Sequence, residues 1–436
     1  MNLDVRLEAF ADPIGRLSSN DAGGIGFAYA PDYLARNDAL QLSMSLSLTE
    51  EPFGDFETRS FFDNLLPERD TARADIIAKY GLANDDIVGI LFHLGRDCPG
   101  AVSVLPEGAP PVKLPGDLSH DYEPYSDALL NASVRALYER RPLPVDAQDP
   151  SPLAGVQSKL AVTRLEDGRL ASPRNGAPTT HILKVPQERH ERDVDREQRA
   201  MTLSRACGFD TAATEVLAID GVPVLLVTRY DRQITEGKVQ RLHQEDFCQA
   251  LGLPSRLKYE RNGRPGRRFD VHRVRDILDR CVDPISERQR FLEITLFDTL
   301  IGNVDGHAKN FSLFHLPGNR FRTTPRYDVL PTMLDRQTTD QFAYDIGTAA
   351  TLEALDAAAF DRFLVDLGLG TAAGRRRIAG ASLSKAIDRM NAAVAAIGKA
   401  DKDFGDLVAT RIRTLCRNMD RAIPEPAASM DTFVRS

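Results

Sequence analysis

Eight consecutive positions, NVDGHAKN at 303–310, hold an acid, an imidazole, an ammonium and amides, with only two aliphatic side chains among them. Asp305 followed five positions later by Asn310 has the D-x-x-x-x-N spacing of kinase catalytic loops, in which the carboxylate orients an acceptor hydroxyl and the amide oxygen ligates a metal. Eighteen residues beyond Asn310, RYDVLP offers Asp328 as a second metal ligand. Mg2+ is a hard cation that prefers oxygen, so one carboxylate, one amide oxygen, waters and nucleotide phosphates would complete its octahedron. Upstream, THILKVP puts Lys184 at the end of an apolar strand, where an ammonium can meet the phosphates of ATP. LAGVQSKL (153–160) leads into another strand, and Gly155 there permits close approach of backbone to phosphate.

Each feature alone has a plainer account: loop hydrogen bonding and capping for Asp305 and Asn310, a solvated edge charge for Lys184. Their order and their placement on suitable elements together favour phosphoryl transfer. A transition-metal reading of Asp305, His307 and Asn310 lacks a third nitrogen or sulfur ligand at short spacing, and a serine hydrolase would want a G-x-S-x-G turn that the chain does not have. Full G-x-G-x-x-G, H-R-D and D-F-G motifs are missing as well, which sets the chain apart from ordinary eukaryotic-type kinases.

The elements that must hold these residues are legible around them. PISERQRFLEITLFDTLIG (284–302) follows Asp283 as cap, starts with proline and is apolar on most sides, so it reads as a buried helix ended by Gly302. FSLFHL (311–316) reads as a short strand, which puts the polar octet on a loop between two core elements. SKLAVTRL, THILKVP, TEVLAI and PVLLVTRY are strand-like, and RDVDREQRAMTLSRACG (192–208) is helical. The expected organisation is a small α+β module at 1–105, with strand-like LDVRLEAF, GGIGFAYA and ALQLSMSL and a helical stretch around RSFFDNLLPERDTARADIIAKYG. A Pro-, Gly- and acid-rich connector without regular structure follows at 106–127, then a strand-rich lobe at 128–240 and a helical lobe at 241–436. Beyond residue 240 nearly everything reads as helix except 303 to about 350. Strand-rich before helix-rich is the order of lobes in a bilobal kinase, so the fold class is α+β.

Length (436 residues) leaves room for two or three domains, and 42% hydrophobic with 27% charged residues is ordinary for a globular chain. No basic leader with an apolar core and no apolar run near the roughly 18 residues of a membrane span is present, which reads as cytosolic with no membrane partner. Five scattered cysteines without a C-x-x-C pair read as buried free thiols. A net charge of −8 argues against a chain that wraps nucleic acid over its whole surface. One basic stretch, RLKYERNGRPGRRFDVHRVR (256–275), sets eight Lys and Arg against two acids. It reads as a solvated loop, with phosphate or RNA contact as the other account.

With those residues in hand, the chain resembles the HipA family of bacterial toxin kinases over nearly its whole length. The motifs that carry the resemblance are FFDNLLPE, GRDCPGAVSV, LAGVQSKL, THILKVP, VTRYDR, HQEDFCQALG, IGNVDGHAKNFSLF and PRYDVLP, in that order. The resemblance implies a protein-kinase-like bilobal fold with an added amino-terminal module, and an ATP- and Mg2+-dependent serine/threonine protein kinase of a toxin–antitoxin system. By resemblance Asp305 is catalytic, Asn310 and Asp328 ligate magnesium, and Lys184 meets the nucleotide phosphates. The backbone around Arg229 and Tyr230 should meet adenine, Gln244 and His307 should neighbour the nucleotide, and Gly155, Val156, Gln157, Ser158 and Lys159 should form the phosphate-side loop. Where the family places a regulatory serine ahead of that loop this chain has Pro152, and Ser151, one step further away, is the candidate phosphosite. Implied partners are a helix-turn-helix antitoxin, operator DNA through that complex, and an aminoacyl-tRNA synthetase as substrate. Two other classes stay open: a kinase-like docking protein acting as corepressor, and a small-molecule phosphotransferase.

Overall fold

The computed structural model describes residues 1–66, 71–144, 158–335 and 337–425, which divide into two units. Met1–Val194, Ala213–Ser255 and Ser312–Arg320 form the first; Asp195–Ala212, Arg256–Phe311 and Phe321–Ser436 form the second.

The first unit begins with a four-stranded antiparallel sheet in the order Ile25–Tyr29, Gly15–Ser19, Asn2–Leu7, Val102–Pro106. Alternation of apolar and polar residues along Asn2–Leu7 sends Leu3, Val5 and Leu7 to one face, where they meet Phe61 and Phe62 of the Asp55–Phe62 helix and Leu91 of the Ile87–Leu94 helix. ALQLSMSL, expected as a strand, forms only an isolated bridge from Ser43 to Leu46. The long helical stretch expected after residue 58 is two helices, Asp55–Phe62 and Thr71–Tyr80, with 67–70 outside the described residues.

A six-stranded sheet follows in the order Thr214–Ile219, Val222–Thr228, His181–Val185, Ser158–Arg164, Leu170–Pro173, Tyr122–Pro124. The Asp127–Tyr138 helix, capped by Ser126, packs Val134 against Leu160, Val162, Leu183 and Leu226 of that sheet. The expected connector at 106–127 therefore does contain regular structure: Gly116–Asp117 pairs with Lys238–Arg241, and Tyr122–Pro124 with Leu170–Pro173. Proline and glycine density marked turns correctly there but hid two-residue and three-residue strands, whose pairing is set by distant partners.

In the second unit, the Pro284–Ile301 helix has Asp283 as N-cap, accepting from the Ser286 amide, and proline at its first turn. Gly302 ends it at φ 75°, a left-handed turn that glycine adopts without a Cβ penalty; a Cβ there would also approach Leu407 to 2.8 Å. Around this buried helix lie Val271–Leu278, Ala357–Asp366, Ala372–Ala400 and Lys402–Asn418. Residues 251–270, expected within a helical region, hold only short 3-10 turns at Ser255–Leu257 and Glu260–Asn262, because Pro254, Gly263, Pro265 and Gly266 interrupt any longer helix. All five cysteines are buried and free. No helix among the described residues is long and apolar enough to cross a membrane.

Candidate active site

Within the second unit, two loops are stitched to one another. Gly302 turns the chain out of the buried helix into 303–310, and the Met333 amide donates to the Gly302 carbonyl at 3.0 Å. The Val304 amide donates to Thr332 Oγ1 at 3.0 Å, and Tyr327 Oη donates to the Lys309 carbonyl at 2.8 Å. One residue further along each loop, Asn310 Nδ2 donates to Asp328 Oδ2 at 3.1 Å. Asp305, Asn310 and Asp328 are thus carried by one cross-tied pair of loops.

Beneath them sits a buried ion pair that motif spacing did not single out. Asp298, in the last turn of the Pro284–Ile301 helix, pairs with Arg326, two residues before Asp328. Burial raises the Asp298 carboxyl, while Arg326 and Asn303 oppose the rise. The Arg326 guanidinium lies 4.9 Å from the Phe297 ring centre and 5.3 Å from that of Phe209, and its backbone is held by Asp210 and Ala212 at 2.8 Å each. The only charge in the stretch ITLFDTLI (294–301) was the available signal for Asp298. Asp328 itself has φ 59°, a left-handed conformation that costs a non-glycine residue on the order of 1 kcal/mol and that aspartate tolerates better than most.

Asp305 is partly buried, and burial pushes its carboxyl above the usual range. The Tyr259 hydrogen bond lowers it, the Asp328 carboxylate raises it, and Lys258 and Arg261 lower it again. Tyr259 Oη donates to Asp305 Oδ1 in a short bond. His307 is buried and pushed down to about 3, first by burial and then by Lys258, so it is neutral at physiological pH. Its ring meets Tyr259 edge-on at 5.1 Å and its Nδ1 has no hydrogen-bond partner among the described residues. The basic stretch at 256–275 is thus not simply a solvated loop. Lys258, Tyr259 and Arg261 line the acid, and the Lys258 carbonyl accepts from the Ala308 amide at 3.1 Å.

Asn310 and Asp328 suit a magnesium ion: both bring oxygen donors, and they stand one hydrogen bond apart. Asn310 Oδ1 also accepts from the His307 amide at 3.2 Å, which leaves a second lone pair free to bind an ion.

The first unit holds the other expected site residues. Lys184, 8% exposed, is the register partner of Lys159 on the adjacent antiparallel strand, so the two side chains share one face of the sheet. Ser158 pairs with Val185 next to them. Tyr230 Oη donates to Gln244 Oε1 at 3.2 Å, bringing together two residues 14 positions apart. The Arg229 guanidinium pairs with Asp231 at 2.9 Å, and its amide donates to the Thr180 carbonyl at 3.0 Å. Gly155, Val156, Gln157 and the candidate phosphosite Ser151 lie outside the described residues.

Residues 151–397 match the HipA-like C-terminal domain, and residues 3–105 the HipA N-terminal domain. A Sinorhizobium fredii protein, Y4mE, a kinase by name, is 35% identical over 366 residues, 84% of this chain and 86% of that one. The serine/threonine-protein kinase toxin HipA of Shewanella oneidensis is 28% identical over 326 residues, 71% of each chain. The solved structure of Shewanella oneidensis MR-1 HipA, in complex with HipB and its operator DNA, superposes with a TM-score of 0.75 at 25% identity, covering 96% of this chain and 97% of that one. The fold is therefore α+β, of the protein-kinase-like HipA type. With both domain models matched in order and a relative at this identity across most of its length, the chain belongs to the HipA family.

Proposed function

We propose that this protein is an ATP- and Mg2+-dependent serine/threonine protein kinase that acts as a HipA-type toxin. The observation that carries the reading is the cross-tied pair of loops that sets the Asp305 carboxylate in the field of Asp328 and joins Asp328 to Asn310 at 3.1 Å. In this reading the acceptor's hydroxyl oxygen attacks the γ-phosphorus of ATP, the bond from that phosphorus to the β,γ-bridging oxygen breaks, ADP leaves, and Asp305 receives the hydroxyl proton. A raised carboxyl is better matched to holding that proton than an ordinary aspartate. Lys159 and Lys184 are assigned to the ATP phosphates, together with the Gly155–Ser158 loop. The backbone at Arg229 and Tyr230, with Gln244, is assigned to adenine, and His307 to the nucleotide's neighbourhood. A magnesium ion held by Asn310 and Asp328 would neutralise charge on the phosphates.

Glu197, 2% exposed in the Glu191–Ala206 helix, is a buried carboxylate that motif spacing did not mark. The proposed substrate is an aminoacyl-tRNA synthetase, phosphorylated on serine so that translation and growth stop. The likeness to a HipA solved with HipB and operator DNA supports a small helix-turn-helix antitoxin as partner and operator DNA as the complex's target.

Incubation of the purified chain with γ-labelled Mg-ATP and a bacterial cell extract tests the reading. Label on serine or threonine of a protein, absent with Asp305→Asn, is the expected result. Label on a small molecule would assign a different phosphotransferase, and no label at all would leave a docking protein that acts on DNA as corepressor.

A further inference from the structure

Tyr259 is tied to Asp305 more firmly than any spacing argument could show. Its segment is clamped on both sides within the second unit. Before it, the Lys258 carbonyl accepts from the Ala308 amide at 3.1 Å, which binds the segment to the 303–310 loop. After it, the Glu260 amide donates to the Ala343 carbonyl at 2.9 Å, and Glu260 Oε2 accepts from the Asp345 amide at 2.8 Å. Arg261 Nη1 reaches the Phe342 carbonyl at 3.1 Å, and the same guanidinium lies 4.1 Å from the Tyr259 ring centre. The ring also meets His307 edge-to-face at 5.1 Å, and the Lys258 ammonium lies 5.7 Å from its centre. With its neighbours held by four ties and its ring by three contacts, the phenol has few rotamers left, and its hydroxyl ends on Asp305 Oδ1.

We propose that Tyr259 is a positioning residue for the transfer step: by fixing Oδ1 it fixes the plane of the Asp305 carboxylate and presents Oδ2 to the acceptor hydroxyl. The proposal rests on Asp305 being the carboxylate that receives the acceptor's proton. Orientation errors of an ångström at a reacting group cost large factors in rate, so removing one hydroxyl should be felt in turnover and not in nucleotide affinity.

The test is a double-mutant cycle on γ-label transfer from Mg-ATP to protein in a bacterial cell extract, using the full chain as parent, Tyr259→Phe, Asp305→Asn and the double variant. Phenylalanine keeps the ring between Arg261 and His307. Tyr259→Phe is expected to lower kcat about tenfold, the loss of one hydrogen bond to a charged group, with KM for ATP and melting temperature unchanged. The double variant is expected to be no slower than Asp305→Asn alone, since Tyr259 acts only through that carboxylate. Parental kcat in Tyr259→Phe, or losses that multiply in the double variant, overturns the proposal while Asp305→Asn inactivity keeps the kinase reading. A kcat loss accompanied by a falling melting temperature marks a purely structural role and overturns it too. A parent that transfers no label, or an Asp305→Asn variant at parental rate, defeats the functional reading beneath it.

Discussion

Carboxylates in the two units are pushed to opposite sides of the ordinary range. Asp97, in the first unit, is 3% exposed, and its burial would raise it, yet Arg241 at 3.1 Å and Lys113 at 2.7 Å hold it well below the ordinary range. Asp231 follows the same pattern: burial raises it, but Arg229 and Arg232 bring it to about 2. Asp305, in the second unit, is raised. Its hydrogen-bond partner is a neutral phenol, a second carboxylate lies in its field, and Lys258 and Arg261 act on it as charges only. A carboxylate kept for structure is ringed by hydrogen-bonded cations. In the proposed reading, Asp305 is left undercompensated so that its proton affinity is available to the transfer step.

That contrast can be broken from either side. The largest expected effect is on stability: Asp97→Asn strands Arg241 and Lys113 and should cost about 3–5 kcal/mol in denaturant unfolding, with Arg241 also losing one of its anchors beyond Glu8. Asp305→Asn should leave stability within about 1 kcal/mol of the parent and lower turnover by at least about a hundredfold, as should Asp328→Ala. If Asp305→Asn unfolds as readily as Asp97→Asn, the two acids do not differ in kind.

Lys184→Ala sharpens the comparison on the cationic side. Its ammonium should act on the charged part of the nucleotide, so equilibrium binding of ATP should weaken about tenfold or more while adenosine changes little. Equal losses for both ligands would remove the lysine from the phosphates.

The smallest effect concerns Glu260, which burial raises to about 7. A raised carboxyl binds its proton more tightly in the folded chain than in the unfolded one, whose ordinary value is 4.5. Its contribution is therefore fully present below about pH 4.5 and is lost as pH rises toward 7, with a slope of at most about 1.4 kcal/mol per pH unit. Glu260→Gln keeps an acceptor for the Asp345 amide and should flatten that slope in unfolding curves taken between pH 5 and 8. An unchanged slope would show that Arg268, 3.3 Å away, already holds the carboxylate charged.

By itself the sequence determined the buried Pro284–Ile301 helix with its cap and terminating glycine and the strands carrying Lys159 and Lys184, and it offered Asp305, Asn310 and Asp328 as a candidate set. The helix and strands follow from local rules, periodicity and capping residues, and the candidate set from spacings of five and eighteen positions along the chain. What it could not determine were pairings that depend on which distant segment arrives. The two short strands inside 106–127 exist because Lys238–Arg241 and Leu170–Pro173 come alongside them. ALQLSMSL has strand propensity, yet among the described residues it makes one bridge only, and its amides go instead to side chains of Asn319, Tyr29 and Glu245. Tyr259 reads in sequence as one aromatic in a basic, proline-broken stretch; only the folded chain, by bringing residues 46 positions apart into hydrogen-bond contact, placed its hydroxyl on Asp305. Hydrogen bonds and ion pairs between remote segments leave no periodic trace, because each needs only one residue of the right type at each end.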